Sequence, residues 1–421
     1  MVIAVNMATV PIVLQYLDIK HFGLWTAITS LATWILLFDF GLVNGLVNAI
    51  SEAYGRNDRQ SARVYVSTAF YLLVAISGIL LIVSLLIAPR LNWDSIIGVT
   101  GSISPDVVRW SILAAIVPIL VGMPLSLIRQ IYAGYQKTYT FMIFSMVGSV
   151  ATLCLIIWAV HTKASLPTLI FAAGCGAVAA YVLNWIYMVR IEMPWLAPGL
   201  RMCSREGLRR LLQTSVPLFC FQIGSLLINQ SQPIILAHRT NLETVAEYSI
   251  LLKLWAVITS LIILGTNAFL PSFREAYERG DSAWLRRAFK HMLKIRMAMA
   301  FCGSVLMVVC GNWILKLWLH TTDVRFDLTV WIACAISVLV TTWVTSFTDF
   351  LTIMDTIWIQ VGLVLLNGAV TVALTFLLAP QFGVLGAVVA LGSVSVVVLS
   401  WLVPRVAYSL LSEKPALRAA S

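Results

Sequence analysis

Val64 to Ala88 reads VYVSTAFYLLVAISGILLIVSLLIA, an apolar run without a single charged residue. As a helix it is long enough to cross a hydrocarbon core of about 30 Å. Comparable blocks of roughly 18 to 25 residues recur along the chain, separated by short charged or Pro/Gly-rich breaks. They fall near 1–17, 22–49, 64–88, 108–128, 140–160, 168–189, 215–236, 248–270, 293–313, 328–350, 357–379 and 384–407. Composition agrees. Of 421 residues 60% are hydrophobic and 11% charged, against about 25% charged in soluble domains. The fold expected is an all-α polytopic membrane protein with about twelve transmembrane helices. The longest polar breaks lie near 190–213 and 271–292, so no separate soluble domain fits.

The net charge of +10 invites a nucleic-acid reading, but the basic residues sit in short loops rather than on one polar face. Twenty of the 28 Lys and Arg fall in one alternate set of loops. The set runs from Arg56, Arg59 and Arg63 through Arg201 to Arg210 and Arg274 to Arg296, ending at Arg405, Lys414 and Arg418. Seven fall in the opposite set, and Lys253 lies inside a span. Loops rich in Lys and Arg stay cytoplasmic. The expected location is therefore the cytoplasmic (inner) membrane, multi-pass, with both termini cytoplasmic. The seven cysteines form no C-x-x-C pair, and the five histidines suggest no metal site.

Glu52-Ala53-Tyr54-Gly55-Arg56-Asn57-Asp58 follows the second span, and Glu275-Ala276-Tyr277-Glu278-Arg279-Gly280-Asp281 follows the eighth. Both fit E-A-Y-x-R-x-D, displaced by 223 residues. Asn6 and Asn229 share that displacement, and Pro11 and Pro233 nearly do. The chain is therefore expected to divide into two six-helix bundles, 1–200 and 201–421, related by a pseudo-two-fold axis along the membrane normal. Transporters are often built this way, with the substrate path at the repeat interface. The repeat also makes the first span look short. Only five residues precede Asn6, which implies either a native start upstream of Met1 or an unusually short first helix. The start shows no signal-peptide pattern.

The run Phe22-Gly23-Leu24-Trp25, the centre Asp39-Phe40-Gly41-Leu42 and the loop Glu52-Ala53-Tyr54-Gly55-Arg56 resemble one branch of the multidrug/oligosaccharidyl-lipid/polysaccharide flippase superfamily. It is the polysaccharide-transporter branch, which includes the O-antigen flippases. Ala246-Glu247-Tyr248-Ser249 and Phe382-Gly383-Val384-Leu385-Gly386-Ala387 look like its second half. The resemblance implies two bundles forming a V around a central cavity, rocking by alternating access. It implies a polyprenyl-diphosphate-linked oligosaccharide, an O-antigen or exopolysaccharide repeat unit, as cargo. The partners implied are that substrate, membrane lipids, and the glycan polymerase and glycosyltransferases of the same pathway. No nucleic acid is expected.

Such a cargo calls for a cation to meet the diphosphate and for amides and hydroxyls to meet the sugars. Charge within a membrane is costly and is a functional candidate by default. Lys253, inside the eighth span, is the candidate cation, with snorkelling to the surface as the competing explanation. Arg129 and Arg109, at opposite ends of the fourth span, read as interfacial anchors first and as substrate cations second. Gln222, Asn229, Gln230 and Gln232 make the seventh span polar just before Pro233, where a kink and cavity contact are expected. On the second span Thr26, Ser30, Thr33, Gly41, Asn44 and Asn48 fall on one helical face, and Asp39 falls nearly opposite. Asp39 is thus expected to cap a helix break or to serve in coupling, and Asn44 and Asn48 to line the cavity. Gly41 and Gly45 form a G-x-x-x-G that permits close helix approach. Asp349 and Asp355 read as solvated loop positions.

No catalytic constellation is present, and no Walker A loop provides for an ATPase. The chain is therefore read as a transporter, not an enzyme. No cofactor is expected, and H+ or Na+ coupling stays open. The alternative is an ion-coupled multidrug or small-molecule antiporter on the same fold.

Overall fold

The computed structural model describes residues 2–98, 103–266, 269–320, 324–353 and 356–406. They form helices and short turns, with no β-strand among the described residues. In order these are α1 (Val2–Tyr16), α2 (Ile19–Thr33), α3 (Leu42–Gly55), α4 (Arg59–Ile87), α5 (Trp93–Ile97) and α6 (Pro105–Leu125). Then come α7 (Leu127–Gly134), α8 (Thr138–His161), α9 (Leu166–Tyr187), α10 (Arg205–Asn229) and α11 (Ser231–Arg239). The rest are α12 (Leu242–Thr266), α13 (Phe269–Arg279), α14 (Ser282–Leu319), α15 (Leu328–Ile353) and α16 (Ile357–Val394).

Ten stretches among the described residues are long and apolar enough to cross a membrane. The last of them, Ile357–Val406, is 50 residues long and holds a non-helical Gly383 (φ 53°, ψ −125°), so it is two spans. With the shorter apolar α1, the chain is a multi-pass protein of about twelve membrane helices. Lipid is the solvent for most of α4. Ile79, Ile82, Leu85 and Leu86 are all exposed there, and only a hydrocarbon surrounding makes such a surface favourable.

The chain forms two compact units. One comprises Met1–Leu226 with Asn241–Ala246, the other Leu227–Thr240 with Glu247–Ser421. In the first, α9 packs on both α6 and α8, α4 packs on α6, and α3 packs on α7. The two glycines of the G-x-x-x-G lie against α10. A Cβ on Gly41 would stand 2.8 Å from the Ser215 carbonyl oxygen, and one on Gly45 would collide with the Ser215 side chain. In the second unit, α15 packs on α14 and α16, and α11 packs on α16. Phe289, Phe347 and Phe350 centre its apolar core.

The repeated heptapeptide does the same local work twice. Glu52 pairs with Arg56 at 2.9 Å and Glu275 with Arg279 at 2.5 Å, one helical turn apart in each case. Asn57 and Gly280 then take left-handed conformations (φ 55° and 78°), turning the chain out of the helix. Asp58 and Asp281 cap the next helix, accepting from the backbone N–H of Ser61 and Trp284. The motif is a helix-stop and helix-start signal.

Two ionic expectations need correction. Arg296 does not belong with the loop charges. It lies inside the 38-residue α14 and is 2% exposed. Asp349 is not a solvated loop residue either. It lies in α15 and accepts from Arg296 Nη1 at 2.6 Å, while Thr266 Oγ1 stands 2.9 Å from Arg296 Nε. A guanidinium can be buried where a carboxylate and hydroxyls converge on it. Asp355 lies outside the described residues.

Candidate functional site

The second apolar block is not one continuous helix. After α2 the chain tightens into a 3-10 turn, Trp34–Asp39. Phe40 and Gly41 are then left-handed (φ 51° and 73°) before α3 starts. A helix that stops leaves carbonyls and N–H groups without intrahelical partners, which are costly in a membrane unless met by other groups. Two side chains supply them here. Asp39 accepts from the Gly41 N–H at 2.8 Å, and Gln222 of α10 donates to the Leu36 carbonyl at 3.0 Å. Asp39 therefore does cap a helix break.

The break also changes the face on which Asp39 lies. Counting 100° per residue through an unbroken helix sets Asp39 opposite Thr33 and Asn44. The 3-10 turn, with about three residues per turn, carries Asp39 round to the side of Thr33, the left-handed residues after it reset the phase again, and Thr33, Asp39 and Asn44 all line one cavity. This corrects the expectation of opposite faces. Ser30 is buried instead, and Asn48 is exposed, away from the cavity wall.

The cavity lies within the first unit and has a volume of about 520 Å³, a size suited to a small ligand or part of a large one. A second interrupted helix faces the first across it. α6 ends at Leu125 and α7 begins at Leu127, and Trp185 Nε1 meets the Leu125 carbonyl at 2.8 Å. Much of the lining is apolar or small, including Ala115, Pro118, Ala173 and Gly174. A relay of amides crosses the polar part. Gln130 Nε2 donates to Asn44 Oδ1 at 3.1 Å, and Asn44 Nδ2 donates to Gln222 Oε1 at 3.3 Å. Gln222 and Asp39 both line this cavity and both hold the helix break, one at the Leu36 carbonyl and the other at the Gly41 N–H. Each amide orients the next, so the relay presents fixed donors and acceptors.

Arg129, on α7, lines this cavity together with Tyr181 of α9. The helix that carries it continues past the apolar block. Of the residues proposed from sequence, the structure thus gathers Asn44, Gln222, Arg129 and Asp39 around one space. Gln130, Thr29 and Tyr181 join them without having been foreseen. Gln130 adjoins Arg129 at the end of an apolar block, a position that gave only a weak signal.

The remaining candidates lie elsewhere. Lys253 is on α12 in the second unit and is half-buried. Asn229 is exposed and ends α10, and Gln230 breaks the chain before α11 begins. The break falls within one turn ahead of Pro233, which has no N–H to donate to a carbonyl four residues before it and whose ring crowds that carbonyl. Gln232 is fully buried in the second unit, accepting from Thr375 Oγ1 at 2.6 Å, while its Nε2 has no partner among the described residues. Arg109 pairs with Asp106 at 3.4 Å. Among the described residues no group of three or more His, Cys, Asp or Glu could hold a metal.

Solved structures share this architecture. An inward-facing multidrug resistance MATE family transporter of the MOP superfamily superposes with a TM-score of 0.79 at 14% identity, covering 98% of this chain and 96% of that one. The two proteins thus share a fold. Residues 2–277 match the family described as polysaccharide biosynthesis protein, and the chain belongs to that family. Among curated relatives, a protein provisionally named an O-antigen transporter in Salmonella typhi is 20% identical over 91% of this chain and 87% of its own length. One provisionally named an O-antigen export protein in Yersinia pseudotuberculosis is 20% identical over 96% of this chain and 91% of its own length.

Proposed function

We propose that the protein flips a polyprenyl-diphosphate-linked oligosaccharide, an O-antigen or exopolysaccharide repeat unit, across the cytoplasmic membrane. The observation that carries this reading is the pairing of Arg129 with the relay Gln130–Asn44–Gln222 in one cavity. A guanidinium suits a phosphate oxygen, and fixed amides suit sugar hydroxyls. A volume of about 520 Å³ is too small for a whole repeat unit with its lipid, so the cavity takes the diphosphate end. The relatives named for O-antigen export are consistent with that cargo.

In this account residues 1–200 and 201–421 form two six-helix bundles, related by a pseudo-two-fold axis along the membrane normal, that rock against each other by alternating access, with both termini cytoplasmic. Lys253 supplies the second bundle's contact to the cargo, and Asn229 and Asn48 meet it at the exposed edges, while the fully buried Gln232 holds α11 to α16 through Thr375. The polymerase and glycosyltransferases of the pathway are the partners. The transport cycle involves no covalent chemistry, so the protein is not an enzyme.

Export in a strain lacking the native flippase tests the proposal. Arg129→Ala and Asn44→Ala are expected to lower surface glycan at least tenfold at normal protein level. Full complementation by both variants would overturn the assignment of this cavity. A second reading, an ion-coupled antiporter, is favoured by one observation, the 4% exposed Asp39 in the cavity wall. Drug-resistance profiling with Asp39→Asn separates the two. An altered resistance profile with intact glycan export would support the antiporter.

A further inference from the structure

A second cavity of about 260 Å³ lies behind the first, among α1, α8 and α9 of the same unit. The two share the wall residues Ala173, Ala177 and Tyr181. Asn184, in the last turn of α9, lines it. The residue is 1% exposed, and neither its Nδ2 nor its Oδ1 has a partner among the described residues. A buried amide with both ends unmet is rare in a finished core and calls for a ligand or ordered water.

The rest of the wall indicates which ligand. None of its lining residues is charged, so neither an anion nor a cation is matched. Ser149 and Thr152 donate their hydroxyl protons to the Ser145 and Gly148 carbonyls of their own helix, which leaves their oxygens free to accept. Asn6 and Asn184 offer amides that both donate and accept. Phe141 and Tyr181 stack at 6.4 Å between centroids and 21° between planes, giving the chamber an aromatic side. Mixed donors and acceptors, an aromatic face and no charge suit a neutral sugar ring, which has hydroxyls at its edge and C–H groups on its face. The chamber is below the size of a typical drug site, as a single ring requires.

Position supplies the rest. Tyr181 lines both cavities, and Arg129 lines the first. In a diphosphate-linked glycan the first sugar is bonded directly to the phosphate that Arg129 would hold. We propose that the chamber built on Asn184 and Asn6 is the subsite for that first, phosphate-proximal sugar, in neutral form. This rests on the functional reading given above.

The test is equilibrium binding to the full chain in lipid nanodiscs, with two probes. One is a polyprenyl diphosphate, and the other is the same lipid carrying one neutral hexose. The wild type is expected to bind the sugar-bearing lipid about tenfold more tightly. Asn184→Leu, close in volume, is expected to cut that preference below about threefold while leaving the sugar-free lipid's affinity unchanged. Retained sugar-free binding also shows that the variant is folded. If Asn184→Leu loses both ligands, Asn6→Leu on α1 replaces it under the same criterion. An undiminished tenfold preference in the variant, or equal binding of the two probes by the wild type, overturns the subsite and leaves the flippase reading standing. Wild type that binds neither probe overturns the functional reading itself.

Discussion

Substituting Gly41 by alanine challenges the helix break on which the cavity depends. Gly41 has φ 73°, where an L-residue with a Cβ is strained by roughly 1–2 kcal/mol. The new Cβ would also stand 2.8 Å from the Ser215 carbonyl oxygen and 2.9 Å from the Phe219 backbone nitrogen. Both are backbone atoms of α10 and cannot swing aside. Forcing the helices apart costs about 1–3 kcal/mol by analogy with overpacked cores. The combined loss is therefore about 2–5 kcal/mol. At about 2–4 °C per kcal/mol, the apparent Tm in detergent should fall by roughly 4–20 °C. Gly78→Ala is the control. Gly78 is helical, with no heavy atom near enough to touch a new Cβ, and alanine there should be neutral or gain up to about 1 kcal/mol. Fluorescence-detected size exclusion after a heat ramp reads both. If Gly41→Ala melted within about 2 °C of Gly78→Ala, the left-handed break and its contact with α10 would be wrong.

Lys253→Ala should abolish glycan export with normal protein level, and full complementation would remove Lys253 from the site. Asp349→Ala should destabilise more than Arg296→Met, because the first strands a guanidinium that is 3% exposed while the second strands a carboxylate that is 38% exposed. The first loss should be about 3–5 kcal/mol, and equal melting shifts would contradict the pair's geometry. The Glu52 carboxyl is held below its ordinary range mainly by the hydrogen bond from Arg210, with Arg210 and Arg56 adding charge. A depressed carboxylate contributes stability at neutral pH that is lost as pH falls through its lowered value. Acid should thus lower the Tm of wild type slightly more than that of Glu52→Gln between pH 6 and pH 3. The difference should be small because both partners are solvent-exposed, and a reversed sign would refute the pairing.

Apolar block length alone made the membrane helices legible, since a span needs little beyond about 20 apolar residues. The repeated heptapeptide was visible too, although its meaning as a Glu–Arg turn with an Asp cap emerged only from the structure. Asp39 shows where periodicity fails. The 3-10 turn Trp34–Asp39 and then the left-handed pair Phe40 and Gly41 each change the phase, and no count at a fixed angle per residue registers them. Gly41 was the available hint, because glycine tolerates that conformation without strain. Arg296 failed for another reason. Charge next to a polar break reads as loop, and the carboxylate that permits its burial lies 53 positions away. Asn184 was passed over because a lone amide near the end of an apolar helix has no sequence signature. Its lack of partners is a three-dimensional fact.

The most direct measurement is leaflet transfer by purified protein in proteoliposomes loaded with a fluorescent polyprenyl-diphosphate oligosaccharide. Loss of outer-leaflet signal on adding a membrane-impermeant quencher or glycosidase reports flipping. The account predicts that wild type exposes the inner pool at least tenfold faster than empty liposomes do, and that Arg129→Ala with Asn44→Ala returns the rate to that background. Wild-type rates equal to empty liposomes, or full activity in the double variant, would contradict it.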